Sequence, residues 1–294
     1  MTISVASGKG GAGKTSVSAA LAAALGPSCA VADCDVDAAN IAIALGARVR
    51  EREDYSAGPG FFIDENACSG CGICQEHCRF DAIRAVPGSK ARRIVEELCE
   101  RCGACFDLCP VGAVKTEDKK AGELYVSDSR IGASLVHAEL VPGEDTSGKL
   151  AFKVRKRAES LAGKDGFVIV DAPPGIGCPV IASLSGCDLV LIVVEASASG
   201  IRDAARLIEL VAKMKLRATA IINKAGLDEE MDGRARSMLS KAGIALIGEI
   251  PFDASLRSAE ESDKTWIDVE GEAGDKVRNA VAAARRDMDT GGQA

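Results

Sequence analysis

Residues 8–15 read Gly-Lys-Gly-Gly-Ala-Gly-Lys-Thr, between a short β-prone segment, Thr2–Ala6 (TISVA), and a helix-like stretch, Ser16–Leu25, closed by Gly26-Pro27. A glycine-rich turn from strand to helix lets backbone N–H groups approach a polyphosphate closely, and the helix N-terminus adds partial positive charge. In that setting Gly8-x4-Gly13-Lys14-Thr15 is a phosphate-binding loop. Gly8, Gly10, Gly11 and Gly13 are expected to permit positive φ and to omit the Cβ atoms that would block phosphates. Lys14 is expected to neutralise β- and γ-phosphate charge and Thr15 to give its hydroxyl to Mg²⁺, with Ser16 beside them on the nucleotide.

The remaining chain supplies the scaffold such a loop needs. Cys29–Asp33, Phe167–Asp171, Leu189–Val194, Ala218–Asn223 and Ala245–Ile250 read as strands, separated downstream by helical stretches near Lys149–Leu161, Gly200–Lys215 and Glu229–Lys241. Continuous aliphatic strands alternating with helices predict an α/β fold with a mostly parallel sheet covered by helices on both faces. Periodicity breaks from about Arg48 to Gly122, which reads as an insertion. The predicted divisions are 1–57, an inserted domain at 58–120, and 121–294. The last helical stretch, Asp275–Met288, is rich in Ala and is expected to be solvated or loosely docked.

The insertion carries a duplication. Cys68, Cys71, Cys74 and Cys78 recur as Cys99, Cys102, Cys105 and Cys109, displaced by 31 positions, and the same offset pairs Ile63 with Ile94, Gly72 with Gly103 and Ala82 with Ala113. The chain has 12 Cys in 294 residues, about 4% and below the ~8–10% of small disulfide scaffolds. The start, MTISVASGKGG, lacks the pattern of a secretory signal. A cytoplasmic, reducing setting is therefore expected, where clustered cysteines are metal ligands or redox groups. Each run has the spacing Cys-x2-Cys-x2-Cys-x3-Cys, that of two-cluster bacterial ferredoxins, in which the fourth Cys serves the other cluster. On this reading Cys68, Cys71, Cys74 and Cys109 bind one [4Fe–4S] cluster, and Cys99, Cys102, Cys105 and Cys78 bind the other. Zinc competes for paired CxxC units, but the third Cys and the duplication disfavour it. Arg79 stands where the first run would usually have Pro.

With Lys9 included, the loop resembles the deviant Walker A motif of the MinD/ParA/Mrp and nitrogenase-iron-protein family of ATPases. The resemblance extends to Asp33-x-Asp35-x-Asp37-Ala-Ala-Asn40 as switch I and Asp171-Ala-Pro-Pro-Gly175 as Walker B and switch II. It implies a Mg-dependent ATPase in which Lys9 reaches across an ATP-bound homodimer to the partner's phosphates. Asp35 at a strand end can orient the attacking water, Asp171 can hold the Mg²⁺ hydration shell, and Gly175 can offer its N–H to the γ-phosphate. Asn223, in Asn223-Lys224-Ala225-Gly226, stands where related proteins read the base; Gly226 in place of an acid favours ATP over GTP.

Together these features predict a P-loop ATPase with an inserted α+β ferredoxin-like domain, whose nucleotide-driven changes gate electron transfer to, or maturation of, a redox or iron–sulfur partner. Two alternatives stand beside this: a redox-sensing assembly or positioning ATPase without net electron transfer, and a cluster scaffold, which the absence of a C-terminal CxxC disfavours. A formal charge of −7 argues against nucleic-acid binding by phosphate neutralisation. No apolar run is long enough for stable membrane insertion.

Overall fold

The structure, a computed structural model, describes residues 1–144, 146–164 and 166–290. In chain order its strands and helices are β1 (Thr2–Ala6), α1 (Lys14–Leu25), β2 (Cys29–Asp33), α2 (Ile41–Ala44), β3 (Arg48–Ile63), α3 (Ile73–Glu76), β4 (Ile83–Ala85), β5 (Arg92–Ile94), α4 (Ala104–Asp107), β6 (Val114–Asp128) and β7 (Ser134–Leu140). There follow α5 (Ser147–Ala162), β8 (Phe167–Asp171), α6 (Cys178–Leu184), β9 (Leu189–Glu195), α7 (Ala198–Lys213), β10 (Ala218–Ala225), α8 (Glu229–Lys241), β11 (Ala245–Pro251), α9 (Ala254–Glu261) and α10 (Glu272–Thr290). Two compact units emerge: Met1–Glu53 with Glu123–Leu140 and Thr146–Ala294, and Asp54–Gly122 with Val141–Asp145.

The first unit is an α/β layer structure. Among the described residues one sheet has the order β11-β10-β9-β1-β8-β2-β7-β6-β3, and every neighbouring pair from β11 to β7 is parallel. Alternation along β9 explains the uninterrupted apolar run. Leu189, Leu191 and Val193 join the core beneath α1 and α10, and Val190, Ile192 and Val194 join the core beneath α7 and α8. Both faces are dry, so both sets of side chains are aliphatic. The register sets Val5 and Asp33 on either side of Asp171. The loop after β1 and the carboxylates ending β2 and β8 thereby share one end of the sheet, where ligand crevices of open α/β sheets lie.

Two expectations are corrected. The stretch from Arg48 holds a 16-residue strand, and β6 and β7 extend the sheet before periodic apolar segments resume. The first seven residues of β3 are all exposed, so an edge strand carries no apolar alternation to betray it. The C-terminal helix is firmly packed. Val277, Ala280, Val281, Ala284 and Met288 are buried, and a Cβ on Gly248 of β11 would stand 2.5 Å from the Ala280 Cβ. Small residues there are what lets backbone approach backbone. Gly248→Ala should therefore lower stability by about 1–3 kcal/mol, read as a reduced urea midpoint at unchanged slope.

The second unit is built twice from one pattern. Asp64 N–H donates to the Ala113 carbonyl at 2.9 Å and Val95 N–H donates to the Ala82 carbonyl at 2.7 Å; each donor and each acceptor is matched by the 31-residue offset. The short helices α3 and α4 follow Gly72 and Gly103, at φ 81° and 79°. Antiparallel β4 and β5 pair Ile83 with Ile94, and these pack on a small core with Ile63, Ala91, Ala113 and Val114.

Candidate functional site

A cavity of about 560 Å³ opens at the sheet end of the first unit, lined by the loop from Gly10 to Ser16, by Asp35, Pro174 and Asn223, and by Pro251 to Asp253. The glycines divide the work unequally. Gly11 and Gly13 have φ of 76° and 90°, and nothing stands within 4 Å of a Cβ built on Gly10 or Gly11. That side of the loop is open to a ligand. Gly8 has no positive φ and does not line the cavity; its Cβ would lie 2.2 Å from the Asp203 backbone carbon, so close packing against α7 demands glycine there.

Lys14 is 7% exposed, with Nζ 3.6 Å from Asp171 Oδ1 and 3.8 Å from Asp35 Oδ2. The Thr15 and Ser18 hydroxyls each donate to Asp171 at 2.8 Å. One cation thus faces a group of carboxylates to which Asp33, fully buried, also belongs. Burial and the neighbouring Asp171 push the Asp33 carboxyl up to about 8, against the N–H groups of Asp35 and Ile41 and the charge of Lys14. Burial also raises Asp35, against the pull of Lys14. This arrangement can accept a divalent cation, which would relieve the like-charge crowding and, together with Lys14, offset the charge of a polyphosphate.

The Asp33 shift carries a pH consequence. Folded, Asp33 keeps its proton to about pH 8; unfolded, it loses it near pH 4. Between these values the folded state binds more protons, so the contribution of Asp33 to stability is largest below about pH 4 and declines as pH rises towards 8. Nucleotide-free protein should therefore lose Tm across that window, and Asp33→Asn should flatten the decline, as scanning calorimetry at several pH values will show.

Lys9 lies beside the cavity rather than in it. Its Nζ is 2.5 Å from Glu195 Oε1 and within 3.5 Å of the Ser197 and Ser199 hydroxyls. Lys224 Nζ reaches the other oxygen of Glu195 at 2.8 Å and donates to the Gly11 carbonyl at 2.9 Å. Burial would raise the Glu195 carboxyl, but hydrogen bonds from Lys224, Lys9 and Ser197 outweigh it and hold it low. Asn223 donates its amide to the Ala12 carbonyl at 2.8 Å, so it braces the loop while lining the cavity. Gly175, at φ 95°, donates its N–H to the Ser7 carbonyl at 3.1 Å; reaching a phosphate requires exchange of that bond. Asp37 is exposed and outside the cavity lining.

Several lining or bracing residues escape sequence reasoning. Glu195 and Ser18 act through tertiary contacts to Lys9, Lys224 and Asp171; Asp33 and Lys224 stand in the motifs read from the sequence, but without the roles these contacts give them. Trp266, whose indole N–H is buried without a partner among the described residues, closes on Gly13, and Glu260 accepts from the Ser16 hydroxyl. Position is a signal for Asp33, Glu195 and Lys224, at the ends of β2, β9 and β10, but not for Ser18, Glu260 or Trp266.

In the second unit the cysteines ring two cavities. One is lined by Cys68, Cys71, Cys74 and Cys109; the other by Cys99, Cys102, Cys105 and Cys78. Each thus takes three thiols from one run and the fourth from the other. Burial raises Cys74, and Cys68, Cys71 and Cys109 add to the rise. Burial followed by Cys99, Cys74 and Cys102 pushes Cys105 up to about 11. At Cys109 burial is outweighed by backbone N–H groups from Val111 to Val114, which lower it. Among the described residues no three His, Cys, Asp or Glu side chains converge tightly enough for a single metal ion. His137 is buried against Ser127 and Tyr125, and burial lowers its pKa.

Comparison with known proteins gives the chain a family context. A model described as the CobQ/CobB/MinD/ParA nucleotide-binding domain matches residues 3–266. Uncharacterized protein MJ0578 of Methanocaldococcus jannaschii is 34% identical over 230 residues, 78% of this chain and 79% of that one. The septum site-determining protein MinD of Pyrococcus horikoshii, solved with Mg-ADP, superposes at TM-score 0.59 with 18% identity and full coverage of both chains. The MinC:MinD cell division complex of Aquifex aeolicus superposes at 0.57 with 20% identity, covering 98% of this chain and 96% of that one. These structures share the fold. Among the described residues no helix is long and apolar enough to cross a membrane.

Proposed function

This chain belongs to the CobQ/CobB/MinD/ParA nucleotide-binding family, and from that premise we propose that it is a Mg-dependent ATPase of the assembly-switch type whose inserted unit holds two [4Fe–4S] clusters. The observation that carries the nucleotide half is the buried Lys14, set against Asp35 and Asp171 at the mouth of an open glycine loop. Lys14 meets the β- and γ-phosphates. Thr15 and Asp171 would hold Mg²⁺, which supplies further charge neutralisation to the phosphates. Asp35 orients the water attacking the γ-phosphate, the arrangement by which positioning and electrostatics supply most of the catalysis in phosphoryl transfer. Lys9 exchanges Glu195 for the nucleotide of a second copy. Lys9→Ala should therefore keep nucleotide binding while losing ATP-dependent dimerisation, read by light scattering with Mg-ATP and Mg-ADP.

The cluster half rests on two cavities, each ringed by four thiols of which three come from one run and the fourth from the other, the crossed set that the Cys spacing implies. When bound, each cluster supplies one-electron redox chemistry. The MinD-like comparisons support an ATPase that assembles on partners; in the reading proposed, the insert adds a report of redox state. The exposed Cys71 and Cys102 favour a second reading, electron delivery to a partner gated by nucleotide. Anaerobic purification, iron and sulfide counting, and ATP turnover with the insert oxidised and reduced test both. Turnover that follows redox state supports coupling; turnover indifferent to it, or a chain holding zinc and no iron, overturns the proposal.

A further inference from the structure

The two cysteine-ringed cavities share ligand spacing but not charge. Because the 31-residue offset matches the halves position by position, unlike residues at matched positions mark where the sites diverge. Arg92 lines the cavity of Cys68, Cys71, Cys74 and Cys109, whereas its counterpart Phe61 lines that of Cys99, Cys102, Cys105 and Cys78. Both cover the same turn of their halves. Arg92 Nη2 is 3.6 Å from where a Cβ on Gly72 would stand, and Phe61 Cζ is 3.4 Å from the matching point on Gly103.

Two further pairs point the same way. Ser69 lines the first cavity, and its match Glu100 lines the second. Gly70, at φ 80°, is matched by Arg101 at φ 52°, but the charge Arg101 brings is cancelled by Glu144, 2.5 Å from its Nη2. Arg92 is held by neutral acceptors, Gln75 Oε1 at 2.7 Å and the Lys90 carbonyl at 3.0 Å. Among the described residues, then, the first cavity carries a guanidinium, Arg92, with no carboxylate paired to it, and the second a carboxylate, Glu100, with no cation paired to it. Cys109, in the first, also accepts from Ala113 N–H at 3.2 Å.

We infer that Arg92 sets the site of Cys68, Cys71, Cys74 and Cys109 at the higher reduction potential of the two, so that an electron entering the insert comes to rest there. The inference rests on the reading that each cavity takes a [4Fe–4S] cluster. An added electron makes a site more negative; a nearby cation and N–H donors favour that state, while a carboxylate opposes it. One electron leaves the lower-potential site and one enters the higher. No bond is made or broken.

The test is a dithionite titration of the anaerobically reconstituted full chain, followed by electron paramagnetic resonance, after counting iron and sulfide. About eight irons per chain are expected, with two one-electron transitions at least tenfold apart in equilibrium constant, about 59 mV. Arg92→Phe should lower the higher transition by at least tenfold and leave the other in place, and Arg92→Lys should preserve both. Glu144→Gln, which unmasks Arg101, should raise the lower transition alone, and it serves as the deciding variant should Arg92→Phe fail to fold. Coincident transitions in the unaltered chain, or variants that move neither transition or both alike, overturn the inference and leave the two-cluster reading intact. An iron count near zero overturns that reading, and the inference with it.

Discussion

On the proposed ATPase reading, Lys14→Ala should lower ATP turnover by at least about 100-fold, equivalent to about 2.7 kcal/mol of transition-state stabilisation. The expectation follows from the company Lys14 keeps. It is buried at 7% exposure, with Asp171 and Asp35 within 3.8 Å and Asp33 behind them, so its removal leaves clustered carboxylates facing a polyphosphate. Loss of nucleotide affinity should accompany loss of turnover. Phosphate release and titration with a fluorescent ATP analogue measure the two effects. Lys14→Ala that retains more than a tenth of the turnover would show that the phosphates are neutralised elsewhere. Scanning calorimetry of the variant without nucleotide separates this from unfolding, and the crowded carboxylates predict a lower Tm at pH 8 than at pH 6.

On the proposed two-cluster reading, Cys109→Ala should halve the iron content, from about eight atoms per chain to about four, with the loss on the site of Cys68, Cys71 and Cys74 rather than on the run to which Cys109 belongs by sequence. Double substitutions make this decisive, because changes in one shared site do not add whereas changes in separate sites do. Cys109→Ala combined with Cys68→Ala should leave the same four irons. Cys109→Ala combined with Cys99→Ala should remove both sites. If the second pair instead behaves like a single substitution, each run closes on its own four cysteines and the crossed arrangement of the cavities is not the one that binds iron.

How much of this was legible without coordinates depends on the range of the interaction. The strands β1, β2 and β8 and the helix α8 occupy the very residues that periodicity and end signals mark, because burial on both faces writes an unbroken aliphatic run and a cap writes a polar residue such as Asp228. Strand β3 was hidden because its outer half faces solvent as Arg-Val-Arg-Glu-Arg-Glu-Asp. Helix α10 looked weakly apolar because Ala does little hydrophobic work on its own. Against a glycine on β11 it becomes the residue that fits. At the nucleotide cavity the loop glycines, Lys14 and Thr15 could be named from spacing, yet their unequal roles could not, since Gly8 is required by the Asp203 backbone and not by a phosphate.

Local sequence alone determined which segments turn, which extend, and which thiols travel in the same run, because such properties depend on residues a few positions apart. Tertiary structure alone decided that Glu195 holds both Lys9 and Lys224, that burial beside Asp171 raises the Asp33 carboxyl, and that Arg92 faces one cysteine cavity while Phe61 faces the other. The physical reason is common to all three. Charge–charge energies depend on distance and burial, and both are set by which strand lies next to which, a choice made by the whole sheet and the duplicated insert.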